Sequence, residues 1–332
     1  MKKIVYSWAL LTLCVILLGA SRRPITIFMI GDSTMANKPY DGDKQERGWG
    51  MVLQGFFTDD IVVDNHAVNG RSSKSFIDEG RWQVVLDKIQ PGDYVFIQFG
   101  HNDEKPKEDR HTDPGTTFDA NLTKFVNETR QKGGIPVLFN SVVRRNFMKN
   151  APENDDDEKL RDKVFSGEKM EEGDVLVDTH GAYLLSPRNV AEATHTAFVD
   201  ANRVTHQLEQ SLGPEKSKRL HMWFRPGETP SLPKGREDNT HYSIYGAHVV
   251  AGLLVDEIAK QVPALKKYVR HYDYIVADNG QGNYMDLQKA VDEAPMGKKT
   301  KLRVLHGDWS YPVIPQGKKI KWVVSSNARL RK

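Results

Sequence analysis

The chain has 332 residues, of which 39% are hydrophobic and 27% are charged. This length suits either one large domain or one domain plus an appendage, and the composition excludes a disordered chain. The net charge of +3 is uneven, since residues 21–271 hold 34 basic and 38 acidic residues whereas residues 272–332 hold 11 and 6. The main body therefore lacks the basic character of a nucleic-acid-binding protein.

Residues 1–20 have the pattern of a secretory signal peptide. Lys2 and Lys3 precede the apolar stretch Trp8–Leu18, and small residues close it. The sole cysteine of the sequence, Cys14, lies inside that stretch. A mature chain without it would hold no disulfide, no thiolate nucleophile and no cysteine-bound zinc. We therefore expect a secreted or periplasmic protein with no membrane anchor after the signal is removed.

The next part of the chain, residues 21–270, alternates between strand and helix patterns. Strands are predicted at Ile25–Ile30, Ile61–Asn65, Tyr94–Phe99, Pro136–Asn140 and Ala197–Asp200. Helices are predicted at Phe76–Ile89, Thr117–Lys132, Pro187–Ala193, Asn202–Leu212 and Ile244–Gln261. This alternation predicts an α/β domain, with a parallel sheet covered by helices on both faces. Ligands in such sheets lie beyond the carboxyl ends of the strands.

Ser33 directly follows the first predicted strand, in the segment Gly31-Asp32-Ser33-Thr34. A serine at this point presents its hydroxyl at the sheet edge, and the backbone N–H groups after it can face a bound anion. The same segment is also typical of a structural turn, because Asp and Ser are good helix caps.

A serine nucleophile needs a base, and the base needs an orienting group. Asp238 and His241 are three residues apart in a predicted turn before the last helix, so both side chains can lie on the same side of that turn. His111 and His195 also follow a carboxylate by three residues, but the first lies in a highly charged loop and the second beyond the fifth strand. The alternative interpretation is that Asp238 caps a helix and His241 is a surface residue.

Two further strand-end segments could supply hydrogen-bond donors. Gly70 allows close backbone approach in the segment after the second strand, and Asn102 carries a side-chain amide after the third. Three donors that converge on one oxygen are what acyl transfer needs. The structural alternatives are a plain Asn-Gly turn at Gly70 and, for His101 and Asp103 on either side of Asn102, hydrogen bonds that only fix the loop.

In order and spacing, four segments resemble those of the SGNH (GDSL-type) hydrolases and, within them, the rhamnogalacturonan acetylesterases. The segments are Gly31-Asp32-Ser33-Thr34, Asn69-Gly70-Arg71-Ser72-Ser73, Gln98-Phe99-Gly100-His101-Asn102-Asp103 and Asp238-Asn239-Thr240-His241. The resemblance covers about residues 24–262. It implies a flavodoxin-like three-layer α/β/α fold with a five-stranded parallel sheet.

The resemblance also implies a serine carboxylic-ester hydrolase. Ser33 would be the nucleophile, His241 the base and Asp238 the acid of a catalytic triad. The N–H groups of Ser33 and Gly70 and the amide of Asn102 would form the oxyanion hole, with no metal and no organic cofactor. The implied substrate is an acetylated pectic polysaccharide, foremost rhamnogalacturonan.

Contacts to an acidic sugar chain are expected from side chains that pair with carboxylates or stack on sugar faces. The candidates are Arg71, Trp49, Trp223, His180 and Tyr183. For each of them, a packing or surface role is the alternative.

Two other functions remain open on the sequence. One is an esterase of the same family that acts on another acetylated polysaccharide such as xylan, or on a lipid, although the charged body disfavours lipid. The other is a non-catalytic carbohydrate-binding module that has kept an esterase fold.

A different pattern begins at residue 271. Tyr274–Ala277, a glycine-rich turn and Leu287–Ala294 resemble the opening of pectin methylesterases, which are right-handed parallel β-helices. Residues 271–332 would be a truncated start of such a domain, without that family's catalytic residues. The remaining strands are predicted at Leu302–Leu305, Tyr311–Ile314 and Ile320–Val324. Because stacked repeats are stable only in groups of about three or more, we expect this segment to pack loosely or stay mobile.

Overall fold

The computed structural model describes residues 23–149 and 173–332. The predicted signal peptide lies outside these residues. The strands are β1 Ile25–Gly31, β2 Glu46–Arg47, β3 Ile61–Asn65, β4 Tyr94–Gln98, β5 Ile135–Phe139, β6 Phe147–Met148, β7 Val175–Leu176, β8 Ala197–Val199, β9 His221–Phe224, β10 Arg236–Ser243, β11 Tyr274–Ala277, β12 Lys299–Ser310, β13 Lys319–Val324 and β14 Ala328–Arg331. The α-helices are α1 Trp49–Val52, α2 Ser73–Asp78, α3 Arg81–Leu86, α4 Thr117–Gln131, α5 Leu185–Ala193, α6 Ala201–Ser217, α7 Ile244–Gln261 and α8 Leu287–Glu293.

The central sheet has five strands in the order β3-β1-β4-β5-β8, and all neighbours are parallel. This order and the helices on both faces confirm the predicted flavodoxin-like α/β/α fold. β1 and β4 are nearly continuous apolar runs, interrupted by Thr26 and Gln98, because both faces of the sheet are covered. Along β1, Ile27 and Met29 belong to one buried cluster, whereas Phe28 and Ile30 belong to the other. This alternation is the two-residue period of a strand.

Each hydrophobic cluster is completed by its own set of helices. The first cluster takes apolar residues from α1, α6 and α7, and the second takes them from α2, α3, α4 and α5. The helix predicted at Phe76–Ile89 is in fact two short helices, α2 and α3, because Gly80 lies between them with φ of 70°. Only glycine adopts such a backbone conformation without strain.

A second, smaller sheet was not predicted. β10 pairs antiparallel with both β2 and β9. Asp238 and His241 therefore lie in a strand, and the expected turn at this position is wrong. The pairing of β10 is irregular between Asp238 and Tyr242, and the helix cap that follows is Ser243, whose side chain accepts from Gly246 N–H at 3.0 Å.

The C-terminal segment, residues 271–332, forms a sheet of parallel strands. β11, β12 and β13 lie side by side, with Tyr274 opposite Leu302 and Leu302 opposite Trp322, and β14 pairs with the second half of β12. The strand predicted at Tyr311–Ile314 is wrong, because β12 ends at Ser310 and the next residues include Pro312, which has no N–H to donate. The resemblance to a pectin methylesterase opening stays a prediction.

The expectation that the C-terminal segment packs loosely is wrong. Ile275, Ala277 and Leu305 are buried in the same hydrophobic cluster as β1 and α7. Arg303 is 1% exposed and its guanidinium donates to the backbone oxygens of Gln54, Gly55 and Phe57. The segment is thus packed against one face of the main domain through both apolar and polar contacts.

Candidate active site

Residues from opposite ends of the main domain meet where β1 ends. The ring nitrogen Nε2 of His241 lies 2.9 Å from Ser33 Oγ, and Nδ1 lies 2.8 Å from Asp238 Oδ2. Ser33 follows β1 and the other two residues lie in β10, so the small sheet carries the histidine to the carboxyl end of the central sheet. The side chains of Ser33, His241 and Asp238 are therefore connected in that order by two contacts within hydrogen-bonding distance. This is the geometry that activates a serine hydroxyl.

The irregular pairing of β10 gives Asp238 a second role. Its Oδ1 accepts the backbone N–H groups of Thr240 at 2.8 Å and of His241 at 3.0 Å. Burial alone would raise the pKa of the Asp238 carboxyl, but these bonds and the contact with the His241 ring hold it far below its usual range. Asp238 is thus an ionised carboxylate that fixes the orientation of the imidazole.

A network of ion pairs that sequence reasoning missed supports this carboxylate. Arg236 donates to Asp238 Oδ2 at 2.5 Å and to Glu46 Oε2 at 2.7 Å. Glu46 also pairs with the buried Lys38 at 2.7 Å, and Lys38 donates to Asn69 Oδ1 at 2.6 Å. The network connects the triad strand to the loop that contains Gly70. A strand assignment for residues 236–243 would have indicated Arg236, because residues two apart share a face.

The donors predicted for an oxyanion lie on adjacent loops. Val68 N–H donates to Gly31 O at 3.0 Å, which joins the loop after β3 to the loop after β1. Within the described residues, the N–H groups of Ser33 and Gly70 donate to no acceptor. Gly70 has φ of 74°, a conformation that favours glycine. The N–H groups of Ser33 and Gly70 are therefore available to a ligand at the loop that follows β1.

Asn102 lies beside the same loop. Its side-chain amide donates to Arg71 O at 3.1 Å, while its oxygen accepts from Lys105 Nζ at 2.9 Å. An amide nitrogen carries two hydrogens, and Arg71 O accounts for one of them. Asn102 is buried, so its position is set by the fold. The second hydrogen is the one that could reach a bound oxygen.

Asp103 anchors the loops that carry these donors. Its carboxylate accepts from Ser73 N–H at 2.9 Å, from Ser73 Oγ at 2.5 Å, from Thr112 Oγ1 at 3.0 Å and from Gly100 N–H at 3.1 Å. Burial raises the pKa of Asp103 to about 7 despite these donors. For this residue, the loop-fixing interpretation is the one that the structure supports.

The turn around Ser33 is fixed from below. Asp32 Oδ1 accepts the N–H and the hydroxyl of Thr34 at 2.9 and 2.8 Å. The Thr34 hydroxyl in turn accepts from Gln98 Nε2 at 2.8 Å, and Gln98 accepts from Trp49 Nε1 at 2.9 Å. The position of Ser33 is therefore set by a buried chain of polar contacts that begins inside the core.

Three of the predicted substrate contacts are wrong. Trp49 is fully buried and holds Gln98, His180 is buried with its Nδ1 3.0 Å from Glu104 Oε2, and Tyr183 is buried with its hydroxyl donating to Thr112 O at 2.5 Å. Large aromatic side chains usually pack in cores, and that alternative holds here. None of the three can touch a polysaccharide in this structure.

The other two predicted contacts lie closer to the surface. Arg71 is half-buried and donates to Glu79 Oε2 at 3.0 Å and to Asn69 O at 3.0 Å. Trp223 is half-buried, and its indole nitrogen donates to Asn239 Oδ1 at 2.8 Å. Their contact with a substrate stays a prediction.

Residues 23–149 and 173–332 hold no cluster of three or more His, Cys, Asp or Glu side chains that could bind a metal ion. In the same residues, no helix has the length and apolar character needed to cross a membrane.

Curated relatives are similar over most of the chain. This chain is 36% identical over 260 residues to the rhamnogalacturonan acetylesterase RhgT of Bacillus subtilis strain 168. The aligned region covers 78% of this chain and 98% of RhgT. It is also 30% identical over 233 residues to YesY of the same strain, which is described as a probable rhamnogalacturonan acetylesterase. That aligned region covers 70% of this chain and 91% of YesY.

A solved structure supports the fold. The crystal structure of YxiM from Bacillus subtilis matches with a TM-score of 0.57 and 23% identity, over 73% of this chain and 58% of that one. This chain thus spans a little over half of the YxiM structure. In addition, the model of the GDSL-like lipase/acylhydrolase family matches residues 29–241, which is more than half of the sequence. The chain therefore belongs to the GDSL-like lipase/acylhydrolase family.

Proposed function

We propose that this protein is a secreted serine esterase that removes acetyl groups from pectic polysaccharide, with rhamnogalacturonan as its main substrate. The observation that carries the proposal is the chain from Ser33 Oγ through His241 to Asp238, with distances of 2.9 and 2.8 Å, beside free backbone donors. The names of two relatives support the choice of substrate. Secretion rests on the pattern of residues 1–20 alone.

The reaction begins at Ser33. His241 Nε2 takes the hydroxyl proton while Ser33 Oγ attacks the carbonyl carbon of the acetyl group. The carbonyl oxygen becomes an oxyanion, which the N–H groups of Ser33 and Gly70 and the amide of Asn102 stabilise. The proton on His241 then passes to the sugar oxygen, and the sugar hydroxyl leaves.

Hydrolysis of the acetyl-enzyme follows the same route. His241 takes a proton from water, the hydroxyl attacks the acetyl carbon, and Ser33 recovers its proton as acetate leaves. In both halves, the imidazole carries a positive charge for part of the reaction. The ionised Asp238 stabilises that charge, and Arg236 keeps Asp238 in place through a 2.5 Å contact.

Removal of one oxyanion donor is a direct test of this assignment. We expect Asn102→Ala to lower kcat by roughly 100- to 1,000-fold, because the donor acts on charge that develops in the transition state. kcat and kcat/KM for a chromogenic acetyl ester should fall together. Since Asn102 also donates to Arg71 O, the melting temperature should be measured alongside.

Asn327→Ala is the matched control, because Asn327 is exposed in the C-terminal segment. A kcat for Asn102→Ala within about tenfold of wild type would remove Asn102 from the oxyanion hole.

The substrate is tested by acetate release. We expect the enzyme to deacetylate acetylated rhamnogalacturonan faster than acetylated xylan at equal acetyl content. The Ser33→Ala variant supplies the background rate for both polymers. Faster release from xylan, or activity confined to long-chain lipid esters, would contradict the proposed substrate while leaving the serine mechanism in place.

A further inference from the structure

A buried lysine lies next to the loop that carries one of the proposed oxyanion donors. The side chain of Lys38 is 2% exposed, and its Nζ donates to Asn69 Oδ1 at 2.6 Å, directly before Gly70 in the chain. Burial lowers the pKa of Lys38, while the carboxylates of Glu46 and Asp32 act to raise it. An apolar side chain of similar volume often gives an equally stable fold at such a position, so stability alone does not account for this charge.

Glu46 uses its two carboxylate oxygens on two different cations. Its Oε1 lies 2.7 Å from Lys38 Nζ, and its Oε2 accepts from Arg236 at 2.7 Å. Arg236 also donates to Asp238 Oδ2 at 2.5 Å, and the same oxygen lies 2.8 Å from His241 Nδ1. A continuous series of contacts therefore connects the imidazole with Lys38 and, through Lys38, with the loop after β3.

The pairing of the small sheet places Glu46 on the same face as His241. Glu46 in β2 lies opposite Ser243 in β10, and residues two apart on a strand share a face, so Glu46 and His241 are diagonal neighbours. Burial acts to raise the pKa of the Glu46 carboxyl. The neighbouring Lys38, His241 and Arg236 nevertheless hold this pKa below its ordinary value. Glu46 is thus a second ionised carboxylate whose negative charge acts on the imidazole.

We infer that Glu46 and Lys38 are positioning residues for the esterase reaction, and that their ion pair fixes the loop of Gly70 relative to the imidazole of His241. The inference rests on the proposed function, because it takes the roles of Gly70 and His241 from there. The base and the oxyanion donors act on one substrate in the same step, so a small change in their separation lowers kcat. Neither Glu46 nor Lys38 has to touch the substrate for this effect.

Glu46→Gln separates the two halves of this network with almost no change in side-chain shape. An amide has one acceptor oxygen and one NH2 group, so only one of Lys38 and Arg236 keeps an acceptor in this geometry. We expect kcat for a chromogenic acetyl ester to fall by about tenfold or more, with KM changed by less than about threefold. The lost negative charge also disfavours the imidazolium form of His241. The acid limb of the pH profile of kcat/KM should therefore move to lower pH, by about half a unit.

Lys38→Met breaks the network at its other end and leaves Glu46 bound to Arg236. We expect kcat to fall again by about tenfold, since Asn69 Oδ1 loses its donor. In this variant the Glu46 carboxylate is no longer neutralised by the lysine, so the acid limb should move to higher pH. The other charged groups of the network, Arg236 and Asp238, are unchanged in both variants. A general loss of folding would not move the two pH profiles in opposite directions.

The double variant with Glu46→Gln and Lys38→Met shows whether the two residues act as one unit. It holds neither charge of the pair, so no buried cation is left without its carboxylate and the chain should fold even if Glu46→Gln alone is unstable. Because each single change already breaks the same connection, the loss of kcat in the double variant should be close to the larger single loss and not to the product of the two. The melting temperature of every variant is measured in parallel.

Glu128→Gln is the matched control. The side chain of Glu128, on α4, is 24% exposed against 21% for Glu46, and it also pairs with a lysine, Lys124. The kcat and the pH profile of this variant should match those of wild type.

Three results would each overturn the inference. They are a kcat for Glu46→Gln within about twofold of wild type, pH profiles of the two single variants that do not move in opposite directions, and losses that multiply in the double variant. Ser33→Ala in the same assay keeps the proposed function separate. An inactive Ser33→Ala beside an unaffected Glu46→Gln contradicts the positioning role alone, whereas an active Ser33→Ala contradicts the serine mechanism itself.

Discussion

Replacing Ser33 by alanine is expected to lower kcat for a small acetyl ester by about 10⁴- to 10⁶-fold. The change removes one oxygen atom, and that oxygen is the group proposed to attack the substrate. The Ser33 hydroxyl lies 2.9 Å from His241 Nε2. His241 is therefore the residue that loses a hydrogen-bond partner in the variant, and its imidazole is only half-buried. The fold and the melting temperature should be preserved.

The Ser33→Ala experiment has a clean control in Ser211→Ala. Ser211 is exposed on α6, and its hydroxyl donates to Leu208 O at 2.7 Å, so its loss should leave kcat unchanged. Progress curves followed by release of a chromogenic alcohol measure both variants. If Ser33→Ala retains activity within about tenfold of wild type, hydrolysis does not pass through this serine.

The central sheet was predictable from the sequence because its strands are buried on both faces. In β4, for example, four apolar or aromatic residues precede Gln98, and all five positions are buried. Such a run can be recognised in the sequence without knowing which strands pair with it. Ser33, Gly70 and Asn102 were identified because each follows one of these strands. The position of the functional side chains at strand ends is thus a consequence of the topology.

The small sheet was not predictable for the opposite reason. β10 has the sequence Arg-Glu-Asp-Asn-Thr-His-Tyr-Ser, which lacks apolar alternation and includes Asp238 and Asn239, residue types that are depleted in strands. It is a strand because β2 and β9 pair with it. The ion pairs of Arg236 with Glu46 and of Lys38 with Glu46 depend on that pairing, and no local pattern marks them.

Burial also separated the aromatic residues in a way that the sequence could not. On the sequence, Trp49 and Trp223 are equal candidates, but α1 buries the first beneath the turn of Ser33, whereas β9 leaves the second half-buried. Arg303 is the reverse case. A charged residue within a strand usually faces solvent, yet this one is buried against backbone oxygens of the main domain.

Those contacts of the C-terminal segment predict the effect of removing it. A chain that ends at Arg270 would lose the burial of Ile275, Ala277 and Leu305 in the main hydrophobic cluster. Full burial of one large aliphatic side chain is worth about 1.5–3 kcal/mol, so the two larger residues alone account for roughly 3–6 kcal/mol. That loss is comparable with the total stability of many domains, about 5–15 kcal/mol. We expect the shortened chain to melt at a much lower temperature and to aggregate.

The polar contacts of the segment can be tested without truncation. Arg303→Ala removes the guanidinium donor from the backbone oxygens of Gly55 and Phe57 and the 2.8 Å contact to Asp59. The oxygen of Gln54 loses the guanidinium as well but keeps the N–H of Phe57 at 3.3 Å. Each buried acceptor left without a partner costs about 1–3 kcal/mol. We expect the free energy of unfolding, measured in urea, to fall by about 2–4 kcal/mol, since Asp59 is partly exposed and can be solvated instead.

Arg329→Ala is the control for this experiment, because it is the same replacement at an exposed position of the neighbouring strand β14. Its unfolding free energy should stay within about 0.5 kcal/mol of wild type. If Arg303→Ala unfolds as Arg329→Ala does, and if the chain ending at Arg270 keeps its melting temperature, the segment does not stabilise the esterase domain. The opposite result would mean that the segment is a structural part of the esterase domain, because Arg303 lies in β12, which pairs directly with β11 at the start of the same segment.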